Sequence, residues 1–256
     1  MVTFVGAGPG AADLITVRGK EKLEQAGQVI YAGSLVNPQL LSYCKEGCRI
    51  FDSAKMTLEE VIARIEEAQE DGLDTVRLHT GDSSLYGAVR EQMEEMDKRG
   101  IPYEVVPGVS SFCGAAASLQ MEYTLPGVSQ SVILTRMAGR TPVPERESLS
   151  SLASHQATMV LFLSAGMLEQ VTEELEKGGY SPDTPAAIVY KATWPDEKQV
   201  ICTVETLVQC AAREGINKTA LIIVGEAVRP ERYGRSKLYD PSFTTGYRKG
   251  TGKEEQ

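Results

Sequence analysis

Short apolar runs alternate with amphipathic stretches along most of the chain. In the first half the apolar runs read VTFVG, QVIYAG, CRIFD, TVRLHTGD and YEVVPG, and glycine repeatedly ends the helical stretch before the next run. Runs that are apolar at successive positions are typical of parallel strands covered on both faces, because neither face is left to solvent. The pattern therefore predicts an α/β fold whose first half forms a mostly parallel sheet.

The stretch from Thr57 to Gly72 shows the helical signal most clearly. Thr57 and Glu60 have the spacing of a capping box, in which each side chain pairs with the backbone N–H of the other residue. Apolar residues recur at intervals of three and four, as on the buried face of a helix; they are Leu58, Val61, Ile62, Ile65 and Ala68. Asp71 and Gly72 predict the end of this helix.

The second half of the chain predicts a different sheet. The apolar pattern pauses at a Pro-Gly turn in EYTLPGVSQ and then restarts. Further on, AAIVYKA and QVICTV are separated only by the turn-forming TWPDEK, which predicts a hairpin and therefore a mixed sheet. We predict an N-terminal α/β domain over residues 1–122, a linker over 123–129, a C-terminal α/β domain over 130–228 and a polar tail over 229–256.

Composition narrows the possible partners. The net charge of −9 argues against nucleic acid, because binding along its phosphates requires a basic face. No apolar run approaches the ~20 residues that cross a bilayer. The chain opens with a strand rather than a secretory leader, and its five cysteines are scattered, so we expect a cytoplasmic protein with reduced thiols and no membrane partner. With only two histidines, we expect no protein-bound metal.

The loop GAGPGA, residues 6–11, follows the first apolar run and fits the G-x-G-x-x-A spacing of dinucleotide-binding loops. That fingerprint also requires an acidic residue about 20 positions further on, at the end of the second strand, to bind a ribose. The second strand reads QVIYAGS and contains no acidic residue. The loop alone is therefore compatible both with a ligand-binding loop and with a purely structural turn.

Two further loops have a similar composition. HTGDSSLYG begins at His79 and VVPGVSSFCGAAA begins at Val105, and each connects an apolar run with a helix. Serine and aspartate at such a point are also ordinary helix N-caps, so the fold alone explains either loop taken singly. Three such loops in one half-chain indicate a binding site, because the carboxyl ends of parallel strands meet at one edge of the sheet.

Taken together, these motifs resemble the tetrapyrrole (corrin/porphyrin) methyltransferases, which use S-adenosylmethionine. The likeness covers about residues 2–228, and its motifs stand in the family order: VGAGPGAADLITVRG, VIYAGSLV, TGDSSLYG, VVPGVSS, LTR and TALIIVGEAV. The segments VIYAGSLVNPQLL and SSFCGAAASLQMEYTLPGVSQSVILTR look most like the branch that methylates C11 of precorrin-4 in vitamin B12 synthesis. Family members that act on uroporphyrinogen carry Asp where this chain has Ala32, which favours a different substrate and removes a candidate acid or base.

The resemblance implies a homodimer of subunits with two α/β domains and a cofactor cleft between them. The methyl donor would be S-adenosylmethionine, the product S-adenosylhomocysteine and the substrate a tetrapyrrole. Carried over position by position, the expected cofactor contacts are Pro9, Thr80, Gly81, Asp82, Leu85, Ser110, Ser111, Leu163, Ser164, Ala187 and Ala192.

A precorrin carries many carboxylates, so a protein of negative net charge must gather cations locally to bind it. Arginine suits this purpose because its guanidinium pairs with carboxylates through two parallel hydrogen bonds. The expected substrate-binding residues are Arg18, Arg90, Arg136 and Lys191, and Arg136 is preferred because it ends a predicted strand.

Methyl transfer from a sulfonium needs no covalent enzyme intermediate, so the catalytic residues are expected to orient groups and to accept a proton. We expect Asp82 to orient the cofactor, and Tyr86 or Lys55 to assist proton removal. His79 precedes the GD loop on an apolar strand and is predicted to be a core histidine. Trp194 fits a lid over the macrocycle and an ordinary hairpin side chain equally well.

Three alternatives stay open at this point. The first is methylation of a precorrin or uroporphyrinogen at another ring carbon. The second is a flavin or nicotinamide oxidoreductase that uses Gly6, Gly8 and Ala11; flavin absorbance of the purified protein would support it. The third is a non-catalytic tetrapyrrole carrier, whose binding of a corrinoid would not respond to a methyl donor.

Overall fold

A computed structural model of the chain describes residues 1–251, and the last part of the predicted polar tail, residues 252–256, lies outside the described residues. The chain divides into two compact units. The first contains Met1–Leu119 together with Val189–Lys198, and the second contains Gln120–Ile188 and the chain from Gln199 onward. The short segment Val189–Lys198 therefore belongs with the first unit although it lies far along the sequence. The predicted domain limits 1–122, 123–129, 130–228 and 229–256 stay a prediction.

The first unit is built on a five-stranded parallel sheet, as the continuous apolar runs predict. Its strands, in chain order, are β1 Val2–Gly6, β2 Gln28–Tyr31, β3 Arg49–Asp52, β4 Thr75–His79 and β5 Tyr103–Val106. Their order in the sheet is β3-β2-β4-β1-β5, and every neighbouring pair is parallel. All five carboxyl ends therefore lie at one edge of this sheet.

Helices cover both faces of the first sheet. They are α1 Val17–Gln25, α2 Leu58–Glu70, α3 Arg90–Arg99 and α4 Ser111–Ser118. The capping box of α2 is formed by Thr57 and Glu60 as predicted, and Gly100 ends α3 in the left-handed conformation. Each face has its own core: one centres on Leu23, Val29, Val76 and Leu78, and the other on Phe4, Ile30, Ile62, Ile65 and Met96.

The second unit contains a mixed sheet, which confirms the prediction for the second half. Its strands are β6 Val132–Arg136, β7 Thr158–Phe162, β8 Pro185–Tyr190, β9 Lys198–Thr203 and β10 Ala220–Val224, in the order β6-β7-β10-β8-β9. Strand β7 is parallel to β6 and antiparallel to β10. The strands β8 and β9, predicted to form a hairpin, are neighbours in this sheet.

Three helices accompany the second sheet: α5 Leu149–Ala153, α6 Leu168–Lys177 and α7 Leu207–Glu214. The sequence pattern does not indicate α5. That helix has only five residues, LSSLA, which is too short for a helical period to be recognised. Within residues 1–251, no helix is both long and apolar enough to cross a membrane.

Candidate active site

Three loops of the first unit meet at the carboxyl edge of its sheet. They follow β1, β4 and β5, which are neighbours in the sheet. Gly8 and Gly81 form a two-way backbone bridge, in which the Gly81 N–H donates to the Gly8 carbonyl at 2.9 Å and the Gly8 N–H donates to the Gly81 carbonyl at 3.2 Å. The structure therefore confirms that the first and second glycine loops lie side by side.

Glycine at this edge allows the three backbones to touch. A Cβ atom on Gly6 would lie 2.5 Å from the Gly108 Cα, and a Cβ atom on Gly108 would lie 2.1 Å from the Gly81 carbonyl oxygen. These distances are far inside van der Waals contact, and the obstructing atoms are backbone atoms that no rotamer can move. The G-x-G spacing in this chain thus has a packing reason that needs no pyrophosphate.

The carboxylate of Asp82 ties two of these loops together. One oxygen, Oδ2, accepts the backbone N–H of Gly108 at 2.7 Å, and the other, Oδ1, accepts both the Ser84 hydroxyl and the Ser84 N–H, the latter at 2.9 Å. Desolvation raises the pKa of Asp82, but these hydrogen bonds from Ser84 and Gly108 outweigh it and leave the pKa below its ordinary value. Asp82 is therefore an ionised group that fixes the loops.

Two buried polar atoms at the end of β4 have no hydrogen-bond partner among the described residues: His79 Nε2 and Thr80 Oγ1. The His79 ring lies 5.9 Å from the Phe4 ring, centroid to centroid. Burial, together with the nearby Arg77 charge, lowers the pKa of His79 to about 3, so the ring is neutral. A buried hydroxyl without a partner costs free energy, and Thr80 therefore marks a point where a ligand atom can bind.

The segment Val189–Lys198 packs on the first glycine loop. The Thr193 hydroxyl accepts the Ala11 N–H at 2.9 Å. The Trp194 ring lies directly on Gly10, since a Cβ atom there would come within 2.1 Å of the Trp194 Cδ1. The buried Asn37 side chain also contacts this loop, since it donates to the Gly10 carbonyl at 2.8 Å. This arrangement places Trp194 against the loop rather than leaving it as a free hairpin side chain.

The Glu197 carboxylate anchors that segment. Its Oε2 accepts the Thr193 N–H at 2.5 Å and the Ser118 hydroxyl, at the end of α4, also at 2.5 Å.

Sequence reasoning missed Asn37, Thr193 and Glu197. A signal existed for Asn37, because Asn before Pro38 is a common helix start. Thr193 gave none, because its partner lies 182 residues away.

Several residues here have a backbone conformation that favours glycine. Tyr86 and Ala88, in the loop after β4, have φ of 54° and 48°, and Lys191 and Thr193 have φ of 47° and 68°. Such conformations cost free energy in residues with a side chain and persist only where the surroundings impose them. Such conformations cluster at binding and catalytic sites. This agrees with the position of the loop after β4 and of the segment Val189–Lys198 at the candidate site.

The predicted cofactor contacts fall into two groups. Those in the first unit lie on the loops described above or on the segment beside them: Pro9, Thr80, Gly81, Asp82, Leu85, Ser110, Ser111 and Ala192. The others belong to the second unit: Leu163 is 66% exposed, whereas Ser164 and Ala187 are fully buried. The Ser164 hydroxyl accepts the Met137 N–H at 2.8 Å and donates to the Phe162 carbonyl at 2.7 Å.

The predicted substrate-binding cations mostly have protein partners. The Arg136 guanidinium donates to the carbonyls of Met137, Thr141 and Pro142, so its donors hold the turn after β6. Arg90 pairs with Glu94 at 3.0 Å and Lys191 with Asp196 at 2.6 Å, whereas Arg18 is exposed on α1. Their role in substrate binding stays a prediction.

The two predicted proton acceptors are accessible. Tyr86 is 46% exposed, and Lys55 is exposed in the short 3-10 turn that follows β3. Lys55 lines a surface cavity of about 360 Å³ whose other walls include Phe51 and Arg64. The described residues contain no group of three or more His, Cys, Asp or Glu side chains placed to hold a metal ion.

The class of protein follows from this fold and site together with a comparison of sequences. The family model of the tetrapyrrole (corrin/porphyrin) methylases matches residues 1–208, so the chain belongs to that family. A cobalt-precorrin-4 C(11)-methyltransferase from Methanocaldococcus jannaschii is 53% identical to it over 252 residues, which cover 98% of this chain and 97% of the relative.

Two solved structures support the same assignment. The X-ray structure of a cobalt precorrin-4 methyltransferase, a cobalamin biosynthetic enzyme, matches with a TM-score of 0.88 at 46% identity, and the match covers 90% of this chain and 96% of that one. A uroporphyrin-III C-methyl transferase from Thermus thermophilus, solved with S-adenyl homocysteine, matches with a TM-score of 0.74 at 26% identity, over 89% and 93% of the two chains. The α/β fold and the family expected from the sequence are confirmed.

Proposed function

We propose that this chain transfers the methyl group of S-adenosylmethionine to C11 of a precorrin-4 macrocycle, with or without cobalt, in cobalamin biosynthesis. The observation that carries the proposal is the convergence of the loops after β1, β4 and β5 beside the Thr80 hydroxyl, which has no hydrogen-bond partner in the described part of the chain. The relative with C11 activity in its name matches nearly the whole chain, so the same loops are expected to serve the same chemistry.

The residues present fit a methyl donor. The Thr80 hydroxyl has no hydrogen-bond partner within residues 1–251, and the Gly81 backbone comes so close to α4 that a Cβ atom there would lie 3.3 Å from the Ser111 nitrogen. We propose that the first-unit residues Pro9, Thr80, Gly81, Asp82, Leu85, Ser110, Ser111 and Ala192 hold the donor, and that Leu163, Ser164 and Ala187 of the second unit contribute further contacts.

When bound, S-adenosylmethionine supplies a methyl group that is already activated as a sulfonium. The chain itself has to position reactants, since holding two reacting groups in a productive geometry provides a large part of the rate enhancement. Asp82 fixes the loops through the hydrogen bonds that both of its oxygens accept, and its lowered pKa makes it a weak proton acceptor. Tyr86 and Lys55 remain the proposed proton acceptors for the ring.

We also propose that the protein is a cytoplasmic homodimer that needs no resident metal. The family resemblance supports the dimer, and a methyl donor made inside the cell supports the location. For the substrate carboxylates we propose Arg18, Arg90, Arg136 and Lys191. Of these, Arg136 would have to exchange its bonds to backbone carbonyls for bonds to a carboxylate.

The decisive experiment locates the transferred methyl. The purified protein is incubated with ¹³C-methyl S-adenosylmethionine and, in parallel, with cobalt-precorrin-4 and metal-free precorrin-4, and the products are analysed by mass spectrometry and ¹³C NMR. The proposal predicts one added methyl on C11. A methyl on another ring carbon would favour the alternative of a different family branch, and binding of the macrocycle without transfer would favour a carrier.

A further inference from the structure

A buried arginine stands on the middle strand of the first sheet. Arg77, on β4, is 3% exposed, and burial lowers the pKa of its guanidinium to about 10, so it stays charged at neutral pH. Its hydrogen-bond partners in the described part of the chain are the Gln92 side chain, the Ile30 carbonyl and the Ser53 hydroxyl. None of them is a carboxylate, so this buried cation has no counter-charge in direct contact.

The hydrogen bonds of Arg77 reach three segments that approach the carboxyl edge of the sheet. Its Nη1 donates to the Ile30 carbonyl at 2.8 Å, near the end of β2, and to the Ser53 hydroxyl at 3.5 Å. Ser53 opens the 3-10 turn that carries Lys55. The Nε of Arg77 donates to the Gln92 Oε1 at 2.8 Å.

Gln92 extends this network to the loop after β4. Its Nε2 donates to the Ala88 carbonyl at 2.8 Å. Ala88 directly follows the GDSSLYG loop and has a φ of 48°. The Arg77 guanidinium is thus connected, through the Gln92 side-chain amide, to Ala88. Ala88 directly follows the loop that carries several of the proposed contacts with the methyl donor.

Stability alone does not explain a charge in this place. Taking a charge out of water carries a desolvation cost, and no carboxylate in contact with Arg77 offsets that cost. What an apolar residue does not supply is directed donors toward several segments at once. Resting on the proposed function, we propose that Arg77 is a positioning residue: it sets the relative placement of the Ser53–Lys55 turn and the end of the GDSSLYG loop.

The test uses variants that separate positioning from stability. Arg77→Met removes the donors but keeps an apolar body, and Gln92→Glu gives the cation a counter-charge while it removes the donor to the Ala88 carbonyl. Arg77→Lys retains the charge without the fork. Arg213→Met, at an exposed position on α7, is the matched control. Urea unfolding, kcat and KM for methyl transfer, and amide hydrogen exchange at residues 53–55 and 82–88 are measured for each.

We expect Arg77→Met to lose some stability, because the Gln92 Oε1 and the Ile30 carbonyl lose a donor. At a temperature where both variants are fully folded, Arg77→Met and Gln92→Glu should still lose about tenfold or more in kcat. Their exchange at residues 82–88 should be faster, and in Arg77→Met also at 53–55. Arg77→Lys should be intermediate and Arg213→Met unchanged. If the wild-type protein transferred no methyl group, the proposed function would be refuted. The hydrogen-exchange data would still test whether Arg77 positions the two segments. Unchanged exchange in Arg77→Met, or a kcat within about twofold of the wild type, would refute the positioning role.

Discussion

The Asp82 carboxylate accepts the backbone N–H of Gly108 at 2.7 Å. This single contact joins the loop after β4 to the loop after β5, two strands that flank β1 in the sheet. The acidic residue of the GD motif in the sequence therefore links the loop after β4 to the loop after β5.

Asp82→Asn tests this link, because the amide turns an NH₂ group toward one of the backbone N–H donors. We expect the free energy of unfolding to fall by about 1–3 kcal/mol at neutral pH, the usual cost of losing a hydrogen bond to a charged group. The folded-state pKa of Asp82 is depressed, so this difference is present above the pKa of a free Asp and disappears as the pH falls through the lower folded value.

Urea unfolding of Asp82→Asn and of the wild type, at neutral pH and at about pH 3, measures that difference. Asp183→Asn, in an exposed turn of the second unit, is the control and should behave as the wild type at both pH values. A difference that persists unchanged into acid would show that the carboxylate charge does not act as described.

Gly108→Ala tests the close approach of the three backbones. The added methyl would lie 2.1 Å from the Gly81 carbonyl oxygen, so the loops must separate, at a cost of about 1–3 kcal/mol in stability. Thermal unfolding measures it, and Gly246→Ala serves as control, because nothing lies within 4 Å of a Cβ atom at that position. Equal melting temperatures for both variants would mean that the loops are not packed as found.

Thr193→Val removes the acceptor for the Ala11 N–H but keeps the shape of the side chain. We expect a loss of about 1 kcal/mol in stability and weaker binding of S-adenosylhomocysteine, because the first glycine loop loses its anchor. Thr193→Ser keeps the hydroxyl and should bind like the wild type. Calorimetric titration of S-adenosylhomocysteine into both variants measures the difference. If the Val variant bound as tightly as the Ser variant, the Thr193 hydroxyl would not anchor the first glycine loop.

His79 predicts a dependence of stability on pH. The pKa of His79 is about 3 in the folded chain, whereas a free His has a pKa near 6.5. Between these two values the unfolded chain binds a proton at this residue and the folded chain does not. The wild type should therefore lose on the order of 2 kcal/mol between pH 7 and pH 5.

His79→Leu should lack that loss, whereas His155→Leu, at an exposed position, should retain it. Chemical denaturation at the two pH values compares the three proteins. If His79→Leu and the wild type lost equal stability between pH 7 and pH 5, His79 would not be neutral and buried in solution.

Much of the first unit was predictable because its signals are local. The capping box of Thr57 and Glu60 and the apolar spacing of α2 depend on residues one or two turns apart, and the parallel sheet follows from runs that leave no face for solvent. The five-residue helix α5 lacks a period, so no pattern indicates it.

The site was predictable in its loops but not in its contacts. Gly6, Gly81 and Gly108 stand out in sequence, yet the reason for each glycine is a backbone from another loop. Arg136 was preferred because it ends a strand, but the sequence does not show that the following turn folds back and offers its carbonyls to the guanidinium. Thr193 contacts Ala11, which is 182 residues away in the sequence. No local sequence pattern predicts a contact over such a separation.

In the proposed function, the loops after β1, β4 and β5 hold a methyl donor. Calorimetric titration of S-adenosylhomocysteine into the wild-type protein tests it most directly. We expect saturable binding of one molecule per chain, with heat that is much reduced in Gly108→Ala. No heat at millimolar ligand, or undiminished binding in that variant, would contradict it.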